Sequence, residues 1–216
     1  MSTAMSTLDL AGVNLTAVPA THPSFTSRRV NWHDQAEVHR AVMSLFAPEL
    51  PGPEGAKRAS SAILYRLETL IGSPRVLVQS SAAPRQSDFG MTSTTLAGLA
   101  TVLAPGLAVR VRIDINAVRS QSRTGKRVPV AAEDLSDFLL NPLDLDRPGL
   151  LHGAFGSLTL LDVTPVLRSS GGIPLRVARI TGEAIVADPG VLAEKLINGV
   201  GRGKSYGCGL LTIAPA

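Results

Sequence analysis

The stretch Asn198-Gly-Val-Gly-Arg-Gly-Lys-Ser-Tyr-Gly-Cys-Gly-Leu-Leu-Thr-Ile-Ala-Pro-Ala216 holds five glycines between positions 199 and 209. Glycine tolerates positive φ and lets the backbone approach a ligand closely, so the N–H groups of such a loop can cradle a phosphate. We therefore predict an anion site, and its residues are Gly201, Arg202, Gly203, Lys204 and Ser205. The spacing leaves open a plain glycine-rich hairpin before a strand at 210–213.

This glycine loop fits neither of the common nucleotide-binding patterns. A P-loop needs a glycine five residues before Gly203, where this chain has Asn198, and a helix after the loop. A dinucleotide fingerprint needs a third glycine at the position of Lys204 and a strand that leads into the loop. Both classes of protein are excluded.

Positive charge is concentrated in one part of the chain. The net charge of all 216 residues is only +4, but the segment from Arg110 to Arg127 carries +5. Its basic residues are Arg110, Arg112, Arg119, Arg123, Lys126 and Arg127, against the single acidic Asp114. We expect these six side chains to bind a polyanion, although an ordinary solvated hairpin is the alternative at 119–127.

Cysteine and histidine usage gives no support for a metal site or a cofactor. The single Cys208 has no second thiol for a disulfide or a shared metal, which favours the reducing cytoplasm. The four histidines show no metal-ligand spacing on one helix face. No stretch approaches the roughly 20 apolar residues of a membrane span, so we expect a cytoplasmic protein with no membrane partner.

Hydrophobic periodicity predicts the same order of elements in each half of the chain. The first half has strands at 8–18, 62–68 and 75–79, helices at 33–46 and 94–103, a loop at 23–30 and a connector at 50–57. The second half has strands at 107–116, 155–167, 175–186 and 210–213, a basic loop at 117–128, and helices at 133–140 and 189–197. We predict an α+β protein of two tandem ferredoxin-like domains, residues 1–104 and 105–216.

His39 is the candidate acid or base. It lies at the rim of the apolar stripe of the predicted helix at 33–46, beside Val38, where an imidazole is half-buried. A surface or packing role for such a histidine is the alternative.

The glycine-rich stretch closely resembles the terminal signature of the CasE family, the CRISPR-associated endoribonucleases that process precursor CRISPR RNA within the Cascade complex. Three further segments support the resemblance and appear in the expected order: His39-Arg-Ala-Val-Met-Ser-Leu-Phe-Ala-Pro48, Ile63-Leu-Tyr-Arg-Leu-Glu68 and Leu107-Ala-Val-Arg-Val-Arg-Ile-Asp-Ile-Asn116. Together they cover both halves.

The resemblance implies cleavage of RNA at a repeat hairpin without metal, with His39 as the general acid or base. A 2′-hydroxyl attacks its own 3′-phosphate and leaves a 2′,3′-cyclic phosphate. It also implies that the product stays bound and that other Cascade subunits are partners.

The chain departs from the family pattern at two positions. Ala36 replaces a tyrosine that some members carry one turn before the histidine, and Ala117 replaces a proline after the cationic strand. Tyr206, His33 and Arg58 are the candidates to compensate. A non-catalytic RNA-binding subunit and a ferredoxin-like protein that binds small anions remain as alternatives.

Overall fold

The computed structural model describes residues 10–68, 74–85, 89–121, 125–141 and 148–216. Its two four-stranded sheets each have the strand order of a ferredoxin-like fold, and all neighbouring strands are antiparallel. The predicted α+β fold of two ferredoxin-like halves is confirmed. The boundary at residues 104 and 105 stays a prediction.

The first sheet has the order β2-β3-β1-β4. Its strands are β1 (Asn14–Pro19), β2 (Leu64–Glu68), β3 (Arg75–Ser80) and β4 (Thr92–Thr95). Between β1 and β2 lie α1 (Pro23–Thr26), α2 (Gln35–Met43) and α3 (Lys57–Ser60). α2 falls inside the helix predicted at 33–46. α1 is a helical turn in the predicted loop at 23–30, because His22 caps it and Pro23 suits a first turn.

The helix predicted at 94–103 is present only in part and as a 3-10 helix rather than an α-helix. Residues Thr92–Thr95 form an edge strand that pairs with β1, and a 3-10 helix at Leu96–Val102 follows. β-branched threonine favours a strand, and the free edge of β1 supplies the hydrogen bonds. Of the predicted strand at 8–18, residues 8 and 9 lie outside the described residues, and Leu10–Gly12 is a 3-10 turn before β1.

The second sheet has the order β10-β5-β9-β8. Its half of the chain contains β5 (Ala108–Asn116), β6 (Val118–Ser120), β7 (Arg127–Pro129), α4 (Leu135–Leu139), β8 (Phe155–Ser170), β9 (Ile173–Val186), α5 (Pro189–Asn198) and β10 (Thr212–Pro215). The predicted basic loop at 117–128 is a hairpin, since β6 and β7 pair antiparallel. The strand predicted at 210–213 begins two residues later, at Thr212, and the Leu210 carbonyl before it accepts from the Arg66 guanidinium.

Two hydrophobic clusters lie under the sheets, and they do not divide at residue 104. One packs α2 against the first sheet through residues such as Val38, Val42 and Val78. The other belongs to the second sheet but also takes in Leu10 and Leu96 from the first half. The two halves therefore share apolar contacts as well as a covalent connection.

A buried ion pair on β2 reaches across to the second half. The side chain of Arg66 is 2% exposed and donates to Glu68 Oε1 at 2.8 and 3.0 Å. The same guanidinium donates to the carbonyl oxygens of Arg112 and Leu210, both at 3.0 Å. Because a buried guanidinium is costly unless its donors are satisfied, this pair fixes the position of one half against the other.

A second buried cluster centres on Asp114 of β5. Its carboxylate accepts from Arg168 of β8 and, at 2.8 and 2.9 Å, from Arg179 of β9. Arg179 also donates to the Leu67 carbonyl of the first half, and Arg168 donates to the Gly207 carbonyl at 3.0 Å. This cluster ties the glycine loop to the sheet.

Within the described part of the chain, no helix is long and apolar enough to cross a membrane.

Candidate active site and nucleic-acid interface

α2 presents His39 toward β2 and the glycine loop. Asp34 caps the helix by accepting from the Ala36 N–H at 2.9 Å. The buried apolar face of α2 consists of residues such as Val38, Ala41 and Val42. His39 lies beside that face and is half-buried, as predicted. Its ring stacks on Tyr65 of β2, with centroids 6.4 Å apart and planes inclined by 24°.

Burial lowers the pKa of His39 below its usual value of 6.5, and the positive charges of Arg58 and Arg40 lower it further. The neutral imidazole is therefore the main form at neutral pH. Nδ1 is buried and has no hydrogen-bond partner among the described residues. A neutral imidazole in this setting can accept a proton from a ligand.

Arg58 lies near both His39 and the glycine loop. Its guanidinium donates to the Ile63 carbonyl at 2.8 Å, which holds it at the start of β2. Together with residues 201–206 it lines a depression, which we call the cradle. Burial lowers the pKa of Lys204 in the cradle, and the nearby charges of Arg58 and Lys195 add to that effect. The cradle therefore gathers positive charge that an anion would relieve.

The backbone of the glycine loop has the conformation that the sequence predicts. Gly201 and Gly203 have φ of +71° and +81°, a region that side-chain-bearing residues rarely adopt. A 3-10 turn at Lys204–Tyr206 follows, and its Ser205 carbonyl lies 3.0 Å from the Tyr65 hydroxyl. Tyr65 therefore contacts both His39 and the loop.

Sequence reasoning missed Tyr65 and Arg168. Tyr65 lies in the segment 63–68 that supports the resemblance to the CasE family, but the sequence of that segment does not show that its side chain contacts α2. Burial raises the pKa of its phenol, so the hydroxyl remains a donor. Arg168 stands in an ordinary alternating strand. Only the folded chain brings its guanidinium to Asp114 and Gly207.

The β6–β7 hairpin lies beside the loop, across a cleft of about 540 Å³. Arg202 donates to Ser120 Oγ at 3.4 Å and lines both the cleft and the cradle. Arg119 lies over the Phe138 ring at 5.4 Å. Lys126 and Arg127 are exposed on the hairpin, whereas Arg123 lies outside the described residues. The β6–β7 hairpin and the glycine loop thus line one cleft.

Arg110 and Arg112 of β5 are placed differently. Arg110 is exposed and donates to the Pro215 carbonyl at the end of β5 away from the loop. Asn116, at the other end of β5, lies beside Gly203 of the glycine loop. It is six residues beyond Arg110, which corresponds to about 20 Å along the strand. Arg112 lies 4.0 Å from Glu68, between the halves. The structure does not bring these two arginines into the cradle.

The candidates to compensate for Ala36 are also separated. Arg58 and Tyr206 line the cradle. His33 contacts the second half through its carbonyl oxygen, which accepts from the Ser169 N–H at 2.8 Å, and does not line the cradle. Cys208 is buried, and burial raises the pKa of its thiol to about 12, so it is a poor nucleophile.

No group of three or more histidine, cysteine, aspartate or glutamate side chains positioned to hold a metal is present in the described ranges.

Comparisons with known proteins agree with this fold over nearly its whole length. The family described as CRISPR associated protein matches residues 14–215. The CRISPR-associated endoribonuclease Cse3 of Thermus thermophilus is 30% identical over 210 residues, 90% of this chain and 96% of that protein.

Two solved structures share the fold. CRISPR endoribonuclease Cse3 bound to 19 nt RNA gives a TM-score of 0.68 at 24% identity, over 94% of this chain and 98% of that chain. A chain of a CRISPR RNA-guided surveillance complex gives 0.58 at 23% identity, over 94% and 100%.

The family match and the two ferredoxin-like halves, the second of which carries the glycine loop, identify a CRISPR-associated protein. Within that class of proteins, this chain belongs to the CasE family, to which Cse3 also belongs.

Proposed function

We propose that this protein is an endoribonuclease that processes CRISPR RNA by 2′-hydroxyl transesterification, with no metal in the step. The observation that carries the proposal is the neutral, half-buried His39, which stacks on Tyr65 and is repelled by Arg58. Tyr65 donates to the Ser205 carbonyl of the cradle, and Arg58 lines the cradle together with Lys204. An imidazole next to a phosphate site is the arrangement that this reaction needs. The family membership and the endoribonuclease named at 30% identity support the same activity.

In the proposed step, His39 accepts the proton of a ribose 2′-hydroxyl. The 2′-oxygen forms a bond to the adjacent phosphorus while the bond from phosphorus to the 5′-oxygen breaks, which leaves a 2′,3′-cyclic phosphate and a 5′-hydroxyl. The leaving oxygen takes a proton from water or from Lys204. Arg58, Lys204 and the N–H groups of residues 201–205 stabilise the extra negative charge on the phosphate oxygens.

The RNA lies, in this proposal, with its hairpin stem on the β6–β7 hairpin and its scissile phosphate in the cradle. Arg119, Lys126 and Arg127 contact stem phosphates, because A-form stems are bound through shape and backbone. Arg202 continues this surface to the cradle. The product stays bound to this surface, and the other Cascade subunits in the cytoplasm are the partners that the family membership suggests.

A non-catalytic RNA-binding subunit is the second candidate. Ala36 favours it, since no hydroxyl stands at that position beside His39. In that case His39 only packs against Tyr65.

His39→Ala separates the two candidates. Wild-type protein is expected to cleave its cognate repeat hairpin in EDTA, and the variant is expected to lose about 10²–10⁴-fold in rate while its RNA affinity changes by only a few fold. His33→Ala, which removes an exposed histidine outside the cradle, is the matched control. Equal cleavage by His39→Ala and wild type would refute the assignment, and absence of cleavage by wild type would favour the binding subunit.

A further inference from the structure

Tyr65 lies where α2 and the glycine loop meet. The residue is fully buried, and its ring stacks on His39, with the centroids 6.4 Å apart. Its hydroxyl donates to the Ser205 carbonyl of the cradle at 3.0 Å and lies 3.3 Å from the Gln35 carbonyl at the start of α2. One side chain therefore contacts both the candidate base and the backbone of the cradle.

The Gln35 carbonyl belongs to the turn of α2 that carries His39. In an α-helix each N–H donates to the carbonyl four residues earlier, so the Gln35 carbonyl is the acceptor for the His39 N–H. The Tyr65 hydroxyl thus lies against the backbone turn from which the His39 side chain extends. Because the hydroxyl has one proton and its contact with Ser205 is the shorter one, the hydrogen bond is made to the second half of the chain.

The glycine loop also packs closely on the Tyr65 ring. A Cβ at Gly207 would lie 2.9 Å from Tyr65 Cε2, and Gly207 has φ of +71°, so this position has no room for a side chain. Arg168 holds the same glycine by donating to its carbonyl at 3.0 Å. The ring and the hydroxyl of Tyr65 together fix the position of residues 205–207 relative to α2.

The Tyr65 hydroxyl is suited to hold the loop and not to exchange protons with RNA. Burial raises its pKa, so it stays protonated and remains a donor. The residue has no exposed surface, so RNA does not reach it. A tyrosine side chain has few rotatable bonds, which makes it a rigid spacer between two segments of backbone.

We propose that Tyr65 is a positioning residue, whose hydroxyl sets the distance between His39 and the phosphate held in the cradle. It acts through the Ser205 backbone and the turn that carries His39, and it touches no reacting atom. The proposal rests on the proposed function, since it takes cleavage in the cradle as the reaction. The reaction depends steeply on geometry, and a misplacement of about 1 Å can cost about 10²-fold in rate.

Tyr65→Phe tests the proposal because it removes the hydroxyl and keeps the ring. Single-turnover cleavage at saturating RNA is expected to slow by about tenfold or more, whereas RNA affinity should change by less than about twofold. The midpoint of the pH profile of the rate should stay that of the wild type, because the stacked ring still shields His39. Tyr65→Leu removes the ring as well, so its midpoint should also rise toward 6.5.

Thr16→Val is the matched control. It removes another buried hydroxyl of the first sheet, which lies 2.9 Å from Ser93 Oγ and outside the cradle, and it should leave the rate and the pH profile unchanged. If Tyr65→Phe also cleaves at the wild-type plateau rate and only melts at a lower temperature, Tyr65 merely stabilises the fold and the proposal is overturned. A slower rate that comes with a shifted midpoint would overturn it too, because the hydroxyl would then act on the pKa of His39.

Hydrogen exchange tests the contact without cleavage. The N–H groups of Tyr206 and Cys208 donate to the Gly203 carbonyl at 2.8 and 3.3 Å. Their exchange should be faster by about fivefold or more in Tyr65→Phe and unchanged in Thr16→Val. If the wild type does not cleave the repeat hairpin, the proposed function fails, and faster exchange in Tyr65→Phe would still show that Tyr65 holds the loop. Unchanged exchange, with cleavage by the wild type intact, would overturn the role of Tyr65 and leave the proposed function standing.

Discussion

The environment of His39 lowers its pKa through burial and through the charges of Arg58 and Arg40. Tyr65 stacks on its ring, while Arg58 and Arg40 add positive charge. Each favours the neutral imidazole, either by excluding water or by repelling the imidazolium ion. A neutral imidazole accepts a proton, so this environment favours the base over the acid among the two roles that the sequence leaves open.

The pH dependence of cleavage tests that assignment. Because the pKa of His39 is lowered, the base form persists to acidic pH, and it is lost only as pH falls through that pKa. The single-turnover rate is expected to rise with pH, with a midpoint below 6.5, and then to level off. A rate that falls with pH over the same range would make His39 the acid instead.

Arg58→Gln extends the test to the neighbouring charge. Removing the guanidinium should move the midpoint of the pH profile upward, because the imidazolium ion is no longer repelled. The plateau rate should fall as well, since one cation of the cradle is removed. Arg40→Gln, whose charge has a smaller effect on His39, is the control and should shift the midpoint less. A midpoint that stays unchanged in Arg58→Gln would show that burial alone lowers the pKa.

The helices and strands that the sequence predicts correctly are those with strong hydrophobic periodicity. α2, α5, β5 and the long β8–β9 pair follow apolar spacing and appear within a few residues of the predicted bounds. β4 was missed because its four residues are polar and all exposed, so no alternation marks it. It is a strand only because β1 has a free edge, and that edge is a property of the folded sheet.

The candidate site likewise combines residues that a sequence pattern marks with residues that only the fold brings into place. His39 and the glycine loop could be named from residue type and spacing. Tyr65 and Arg168 could not, since each acts through a residue far away in sequence, Ser205 for Tyr65 and Gly207 for Arg168.

Substitutions in the glycine loop should separate its shape from its charge. Gly201→Val and Gly203→Val place a β-branched side chain at φ of +71° and +81°, which costs about 1–2 kcal/mol or more each. Both should lower RNA affinity and the melting temperature. Lys204→Ala removes one cation from the cradle without changing the glycine backbone, so it should lower affinity or rate with the melting temperature unchanged.

Measuring RNA affinity and melting temperature for these three variants shows whether the loop acts through its backbone shape, its charge or both. If valine at both positions leaves RNA binding and melting as in the wild type, the loop is only a connector between α5 and β10.

The β6–β7 hairpin should bind RNA through phosphate groups. Replacing Arg119, Lys126 and Arg127 by alanine should flatten the plot of log affinity against log salt by about 0.7–0.9 for each phosphate that is no longer neutralised. Replacing Arg110, which lies at the other end of β5, is the matched control and should change the slope less. An unchanged slope in the triple variant would place the RNA elsewhere.

At the scale of the whole molecule, the site depends on how the two halves meet. His39 and Arg58 come from the first half and the glycine loop from the second. Hydrogen bonds hold the two halves together. Arg66 donates to the carbonyls of Arg112 and Leu210, and Arg179 donates to the carbonyl of Leu67. A change in this buried polar contact should therefore alter both stability and cleavage, although it lies outside the cradle.

Glu68→Gln tests that dependence through pH. Burial by itself raises the pKa of Glu68, but the hydrogen bond and charge of Arg66, with Arg112 and Arg75, outweigh it and leave the pKa below its ordinary value. A carboxylate with a lowered pKa in the folded state stabilises the fold above its unfolded pKa, and this stability is lost as pH falls through the folded pKa.

The glutamine keeps an acceptor for Arg66 but removes the charge, so the variant should be less stable than wild type at neutral pH by about 1–3 kcal/mol. The difference in melting temperature should shrink as pH falls below about 4.5, because wild type then loses the same charge. Cleavage at neutral pH should also fall, since Arg66 holds the second half less firmly. Glu183→Gln, at an exposed position on β9, should change neither melting nor cleavage. A gap in melting temperature that stays constant down to low pH would mean that the charge of Glu68 does not hold the halves together.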